Sequence, residues 1–443
     1  MSQPISPSKR LLKTFSLAAV IFLTVSGGPY GLEPLMQFAG KDGALLLLLI
    51  VPLLWDLPTI FVVLELNSLM PVEGGYYKWV DRALGKRWAF YEGWWTWLYS
   101  FTDLAIYPVL FVTYAGFFFP SIAAISIPLR LGIVWACAIL NILGIVPVGR
   151  VSMILTAIIL VPFIILFGEA IFSSSFHFSS PSPTLRGIGF SALGMGLYTV
   201  MWNFLGWDNT TTYAGEVDKP VRSYLVSTAF AFVLVLVVYL GTILVTQNTD
   251  IDFAKLSDSG FPLLGMKIGG QWLGTLLSIG GMASALGIFS AVMLSISRIP
   301  KVMADDKLLP QVLCKLHPRF NTPYISIIIC ATVVSSMVVW TFTELIVIDV
   351  ILYGAGLFLE FISLIALRIK EPNAPRPFKI PLPIFLLGIL LLLPIAVYII
   401  AITGVLSKPD SNHNMIYFAL GALLTAELGW QVIRLANKVK PAI

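Results

Sequence analysis

Seven carboxylic acids stand inside stretches that are otherwise apolar: Glu33, Asp56, Asp103, Glu169, Asp208, Glu360 and Glu427. An ionised side chain at the centre of a membrane-spanning helix costs ~2.5–3.5 kcal/mol on insertion scales, so each acid needs a reason to be there. A buried carboxyl can take up a proton or meet a cation, and both uses suit binding rather than bond-making. Asp103 and Tyr107 are four residues apart and share one helix face. They are either a hydrogen-bonded core pair or two walls of a site. Asp208 directly follows the weak point Trp202-Asn203-Phe204-Leu205-Gly206-Trp207, and Glu33 lies just beyond Ser26-Gly27-Gly28-Pro29-Tyr30-Gly31. Each could cap the helix that resumes there or receive a cation. Asp56 reads as a local hydrogen-bond acceptor, and Glu360 as a structural or gating group. Glu169 and Glu427 carry no decisive signal. Glu65, Glu92 and Asp349 fall nearer the ends of apolar stretches and read as interfacial.

Other chemistries lack the residues they need. Three cysteines (Cys137, Cys314, Cys330) match neither a disulfide framework nor a zinc-ligand spacing. Only three histidines exist, no HExxH pair occurs, and no GxSxG interrupts the apolar stretches. The chain reads as neither an enzyme nor a metalloprotein, and no cofactor or nucleic-acid partner is expected.

The elements that must position these acids are membrane spans. Of 443 residues, 58% are hydrophobic and 12% charged, about half the ~25% charged share of soluble domains. A span needs ~20 apolar residues. Twelve stretches qualify: about 14–39, 43–69, 88–119, 127–146, 150–173, 190–214, 223–246, 269–299, 323–341, 345–368, 382–405 and 413–436. If the N-terminus is cytoplasmic, 22 of the 28 Lys and Arg residues fall on the cytoplasmic side. That asymmetry places both termini in the cytoplasm of a multi-pass cell-membrane protein, with the bilayer as a partner. Met1–Thr14 is polar and basic, and no cleavable signal peptide is expected.

Three glycines and a proline between Ser26 and Gly31 cannot sustain a regular helix in the first span. The sixth span has its own weak point at Trp202–Asp208. Two interrupted helices, five spans apart, predict two halves of inverted topology with a site between the breaks. The competing reading is a pair of packing kinks. The expected organisation is all-α: a cytoplasmic tail over 1–13, a ten-helix core over 14–368 and two additional helices with a tail over 369–443. Within the core, the repeats span about 14–173 and 190–368. Backbone groups of Ser26, Gly27 and Gly28 would meet the substrate directly, with half-helix dipoles assisting.

Ser26–Glu33 resembles the first-helix motif of the amino acid–polyamine–organocation (APC) transporters. It is especially similar to the polyamine branch with its pattern SGGPxGxE, and a likeness to the L-type amino acid transporters accompanies it. Further matches in order are Leu64-Glu65-Leu66 through Pro71–Val80, Trp207-Asp208 with Ala214-Gly215-Glu216-Val217 and Pro220, Ser297–Pro310 with His317-Pro318-Arg319 and Thr322-Pro323, and Leu359-Glu360-Phe361 through Arg368. The matches run over about 14–380. The resemblance implies twelve transmembrane helices with a LeuT-like five-plus-five inverted repeat, broken helices one and six, and secondary transport of amino acids, polyamines or related cations. It implies a substrate site including Ser26, Gly27, Gly28, Tyr30, Glu33, Asp103, Tyr107, Trp202, Trp207 and Asp208. Trp202 would cover the substrate and suits cation–π contact with an amine.

The expectation is therefore an alternating-access transporter for a polyamine or amino acid. A proton is the expected coupling ion, with Asp103 and Asp208 as its candidate carriers. The alternative is an exchanger for neutral or cationic amino acids. A channel lacks a repeated filter motif. The fifth span, Val151–Phe172, has no Lys to mimic a bound sodium, unlike some family members.

Overall fold

Apolar segments in a bilayer must satisfy their own backbone, and helices do so within one segment. The computed structural model describes residues 12–144, 150–179, 182–212, 214–407 and 413–439. The expected N-terminal tail therefore lies outside the described residues up to residue 11, and the C-terminal tail from residue 440. Among the described residues there are helices and no β-strands, only isolated bridges such as Leu12 with Val217.

The first half of the chain holds α1 (Thr14–Val25), α2 (Glu33–Val51), α3 (Leu57–Leu69), α4 (Gly75–Leu84), α5 (Lys86–Ala115), α6 (Ser126–Ile142) and α7 (Arg150–Phe172). The second half holds α8 (Phe190–Asn203), α9 (Pro220–Gln247), α10 (Phe253–Ser259), α11 (Pro262–Gly269), α12 (Gln271–Ile296), α13 (Arg298–Asp305), α14 (Tyr324–Met337), α15 (Phe342–Lys370), α16 (Ile384–Leu406) and α17 (Asn414–Val439). Among the described residues, nine helices are long and apolar enough to cross a membrane. The stretches expected as spans one, six and nine hold the shorter α1, α8 and α14.

The shortening of α1 and α8 has a local cause. After Val25 the chain leaves helical geometry, with Gly27, Gly28 and Gly31 at φ 58°, 95° and 95°. Such values are cheap only for glycine. Helix α8 stops at Asn203, Gly206 takes φ 91°, and Asn209–Thr212 form a single tight turn rather than a resumed α-helix. Gly40, at φ 65° and ψ −173°, separates the start of α2 from its apolar continuation. The continuous stretch Glu33–Leu69 therefore changes direction there.

Helix α5 is the central post. Its 30 residues extend roughly 45 Å, and it packs along α15, α12 and α4. Helix α1 lies against α9, α7 and α12, while α2 lies against α8 and α9. The outer helices turn apolar side chains outwards, for example Ile164 of α7, Phe385 of α16 and Leu428 of α17. That surface is what a bilayer would cover. Helix α15 starts with a capping box, in which the Glu344 amide donates to Thr341 Oγ1 and the Thr341 amide to Glu344 Oε2. It ends with Arg368 and Lys370, which suit its negative end.

Glu65 departs from the interfacial expectation. It is fully buried and bidentate with Arg368, at 2.8 Å from Nε and 2.5 Å from Nη2, and the Ile380 amide donates to the same carboxylate. Arg376 Nε lies 3.5 Å away. This cluster ties α3 to α15 and to the segment before α16. Removing Arg368 leaves the buried Glu65 carboxylate with only the Ile380 amide and the more distant Arg376. Arg368→Ala should therefore cost ~3–5 kcal/mol of stability. The expected result is a markedly lower melting midpoint of the purified protein in detergent, with partial recovery in Glu65→Gln/Arg368→Met.

Candidate functional site

The two breaks face one another, and their loose backbone groups find partners across the gap. Tyr239 Oη donates to Ser26 Oγ at 2.6 Å and lies 3.0 Å from the Asn203 carbonyl. Asn203 Nδ2 donates to the Gly31 carbonyl at 3.2 Å, and Ser284 Oγ donates to the Gly27 carbonyl at 2.5 Å. Within the first break, the Gly28 amide donates to Ser26 Oγ and the Gly31 amide to Glu33 Oε2.

A small cavity lies between the breaks, lined by Thr24, Val25 and Ser26 at the end of α1 and by Tyr99, Asp103 and Tyr107 of α5. Trp202, Asn203, Leu205, Gly206 and Asn209 contribute from the second break, with Ile288 of α12 and Asp349 of α15. It offers only about 20 Å³ to the centre of a water molecule, which is room for one water. Tyr107 Oη donates to Asp103 Oδ1 at 2.6 Å. Trp202 stands beside Tyr107, with ring centroids 6.5 Å apart, and packs edge-on against Phe342.

Ser26, Asp103, Tyr107 and Trp202 are thus brought together, whereas the other sequence candidates stand outside the cavity lining. Gly27 and Gly28 form the turn behind it. Tyr30 donates to the Leu277 carbonyl at 2.9 Å and packs against Tyr114 and Phe163. Glu33 is fully engaged: Oε1 accepts from Tyr114 Oη at 2.8 Å and from the Phe261 amide, and Oε2 accepts from Gly31. It closes the start of α2 against the start of α11 rather than facing the cavity. Trp207 turns away and donates to Asp56 Oδ1 at 3.3 Å. Asp208 accepts from Tyr353 Oη at 2.8 Å, one layer below the cavity.

Several groups in and around this region were not expected from the sequence. Asp349 and Glu92, whose place near the ends of apolar stretches suggests an interface, are each 1% exposed. Glu92 lies in the second turn of α5, but α15 covers it. The missed signal is a shared spacing. Glu92, Thr96, Tyr99 and Asp103 follow an i, i+4, i+7, i+11 pattern, and so do Asp349, Tyr353, Gly356 and Glu360. Each set marks one helix face. Glu427 pairs with Arg87 at 2.7 Å on a partly exposed face. Glu169 is half-buried, with no role in the cavity.

Helix packing and ion pairs join the elements on either side of the cavity. On the Glu33 side, α10 packs against α2, and α11 against α12 and α7. On the other side, Lys78 lies 2.7 Å from Asp306, Tyr77 Oη donates to the same carboxylate, and Arg298 lies 3.0 Å from Glu216. Leu12 adds backbone hydrogen bonds to Glu216 and Asp218. At the edge of this surface, Arg82 holds the Glu371 carboxyl below its usual range.

Comparison with known proteins decides the family. The sequence model described as amino acid permease matches residues 12–425. The chain belongs to the amino acid permease family. Two plant proteins are similar along most of their length. Polyamine transporter RMV1 of Arabidopsis thaliana is 33% identical over 374 residues, 82% of this chain and 74% of the relative. Polyamine transporter PUT1 of Oryza sativa subsp. japonica is 32% identical over 390 residues, 86% of this chain and 71% of the relative. The branched-chain amino acid permease BcaP of Bacillus subtilis (strain 168) is 25% identical, over 72% of each chain. The permease is a multi-pass membrane transporter and not an enzyme.

The geometry of the first break yields a direct test. A Cβ on Gly27 would lie 2.1 Å from Ile288 Cδ1 and 2.7 Å from Ser284 Oγ, at φ 58°. A branched side chain disfavours that backbone as well. Gly27→Val should abolish uptake of radiolabelled substrate while the protein still reaches the membrane. Wild-type uptake by this variant would remove the break from the mechanism.

Proposed function

We propose that this permease is a secondary transporter of a polyamine, working by alternating access and coupled to protons. The observation that carries the reading is the pair Asp103 and Asp349. Both line one small cavity with the aromatic residues Tyr99, Tyr107 and Trp202, and among the described residues no Lys, Arg or His lines it. Two acids without a basic partner suit a substrate that brings two positive charges, since each ammonium offsets the desolvation of one carboxylate. Tyr107 and Trp202 add cation–π surface. The names of the two plant relatives support the same substrate class.

The site fits a twelve-span arrangement with a LeuT-like inverted repeat and both termini in the cytoplasm of the cell membrane. Here α1 with the start of α2 forms span one, and α8 with the turn after it forms span six. The cavity holds about one water, whereas putrescine carries two ammonium groups roughly 6 Å apart when extended. Loading therefore requires the elements on one side to part, and release requires those on the other. Ser26, Asp103, Tyr107, Trp202 and Asp349 bind the amine. Gly27, Gly28, Tyr30, Glu33 and Trp207 shape and brace the breaks. Asp208 serves the proton.

An amino acid exchanger is the alternative, and BcaP keeps it in view. Such a substrate needs a seat for its carboxylate. The amides of Ser26, Gly27, Gly28 and Gly31 already donate to Phe22, Ser26 Oγ and Glu33. The exchanger would have to undo those bonds first.

Charge-assisted hydrogen bonds contribute ~1.5–3 kcal/mol, or about 10–100-fold in affinity. Asp103→Asn and Asp349→Asn should each weaken putrescine or spermidine uptake in proteoliposomes by that factor. A neutral amino acid as best substrate, carried normally by both variants, would contradict the proposal.

A further inference from the structure

Helices α5 and α15 run antiparallel, and their matching polar faces meet in order. Asp103 faces Asp349 at the cavity. Tyr99 meets Tyr353 edge-on, with ring centroids 5.2 Å apart. Glu92 lies against Gly356, where a Cβ would sit 3.0 Å from Glu92 Oε1, and it faces Glu360. A side chain at 356 would require that carboxyl to shift by a few tenths of an ångström.

Asp208, from the second break, joins Glu92 and Glu360 in this lower layer. All three carboxyls are buried, with Glu92 and Glu360 each 1% exposed. Thr96 Oγ1 donates to Glu92 Oε1 at 3.3 Å and Tyr353 Oη to Asp208. Glu92 Oε2 and Glu360 Oε2 have no hydrogen-bond partner. A separate group points at the same spot: Tyr76 of α4 is fully buried, its hydroxyl has no partner, and it faces all three acids.

Among the described residues, no Lys, Arg or His pairs with any of the three. Arg368, further along α15, is held by Glu65 and two carbonyls. Helix α17, packed against α5 and α15, contributes Glu427, whose partner is Arg87 at the surface. None of the three acids lines the cavity. Three neighbouring carboxylates without a positive partner cannot all stay ionised in so dry a place.

We infer that Glu92, Asp208 and Glu360 form a proton-carrying site, separate from the substrate cavity and connected to it through Tyr353, Tyr99 and the second break. The inference rests on the proton-coupled transport reading and assigns the residues that carry its proton. The connection is covalent on one side, since Asn209 lines the cavity and Asp208 precedes it in the chain. It is a contact on the other side: Tyr99 donates to Asn209 Oδ1 at 2.6 Å and packs on Tyr353, which holds Asp208. A substrate that moves the break moves Asp208 away from Glu360. The proton's exit lies at Tyr76. The next residue, Tyr77, belongs to the Asp306 contact on this side, so opening that contact brings water to the three acids. A proton then leaves as H⁺ and is replaced from the opposite side in the next cycle.

The test uses the purified full-length protein in proteoliposomes with an entrapped pH-sensitive dye. Labelled putrescine counterflow without gradients reports substrate exchange. Dye signal and pH-driven accumulation report proton movement. Glu92→Gln and Glu360→Gln should keep counterflow and lose both substrate-driven proton movement and accumulation, with uptake no longer dependent on pH. Wild-type proton movement in both variants would overturn the inference. So would wild-type accumulation driven by a sodium gradient with no proton movement. Loss of counterflow in both variants, with monodisperse protein, would overturn the separation of the two sites. Absence of putrescine counterflow in the wild type would instead reject the substrate reading, and the inference with it.

Discussion

A backbone that leaves helical geometry inside a membrane must find its hydrogen bonds within the protein, and here two such segments supply them to each other. The Tyr239 hydroxyl, touching Ser26 and the Asn203 carbonyl, and the Asn203 amide, reaching Gly31, hold the breaks face to face. The cavity and its lining are arranged around that contact. Thr24, Ser26, Asn203 and Gly206 line the cavity because the breaks are joined there. Glu33, the first residue of α2, accepts from the Gly31 amide because α2 must restart directly after the break. Breaking the contact would strand polar groups in an apolar interior, which explains why fully buried tyrosine and asparagine side chains occupy these places.

Two layers of acid sit on the seam between α5 and α15, separated by the Tyr99–Tyr353 pair. The upper layer opens on the cavity and the lower one does not. Under the proposed function this difference in access would divide the work: a layer with space suits an ammonium group, and a layer without space suits a proton. Asp208 belongs to the break by covalent structure and to the lower layer by contact. In the proposed mechanism it is the residue through which motion of the break would reach the buried acids.

The breaks were legible in the sequence because Gly, Pro and Asn impose local geometry whatever surrounds them. The pairing of Asp103 with Tyr107 was legible for the same reason, being a one-turn relation within a helix. What stayed hidden depends on which helix lies against which. The regular spacing of Asp349, Tyr353 and Glu360 shows that they share a face, but not that the face meets α5. Glu65 reads as interfacial until Arg368, 303 residues away, is seen to fold back on it. Trp207 and Tyr30 look like site residues from their neighbours in sequence. Successive residues of an unwound segment point in different directions, and these two are turned towards Asp56 and Leu277.

The central claim is that the uncompensated acids around the joined breaks select a doubly charged amine. A ligand that binds only the folded state raises its melting temperature by mass action. The most direct measurement is therefore the thermal midpoint of the purified protein with 1,4-diaminobutane, butylamine or leucine at equal concentration. The account predicts a clear upward shift with the diamine, a smaller one with the monoamine and none with leucine. A shift with leucine as large as that with the diamine would contradict it.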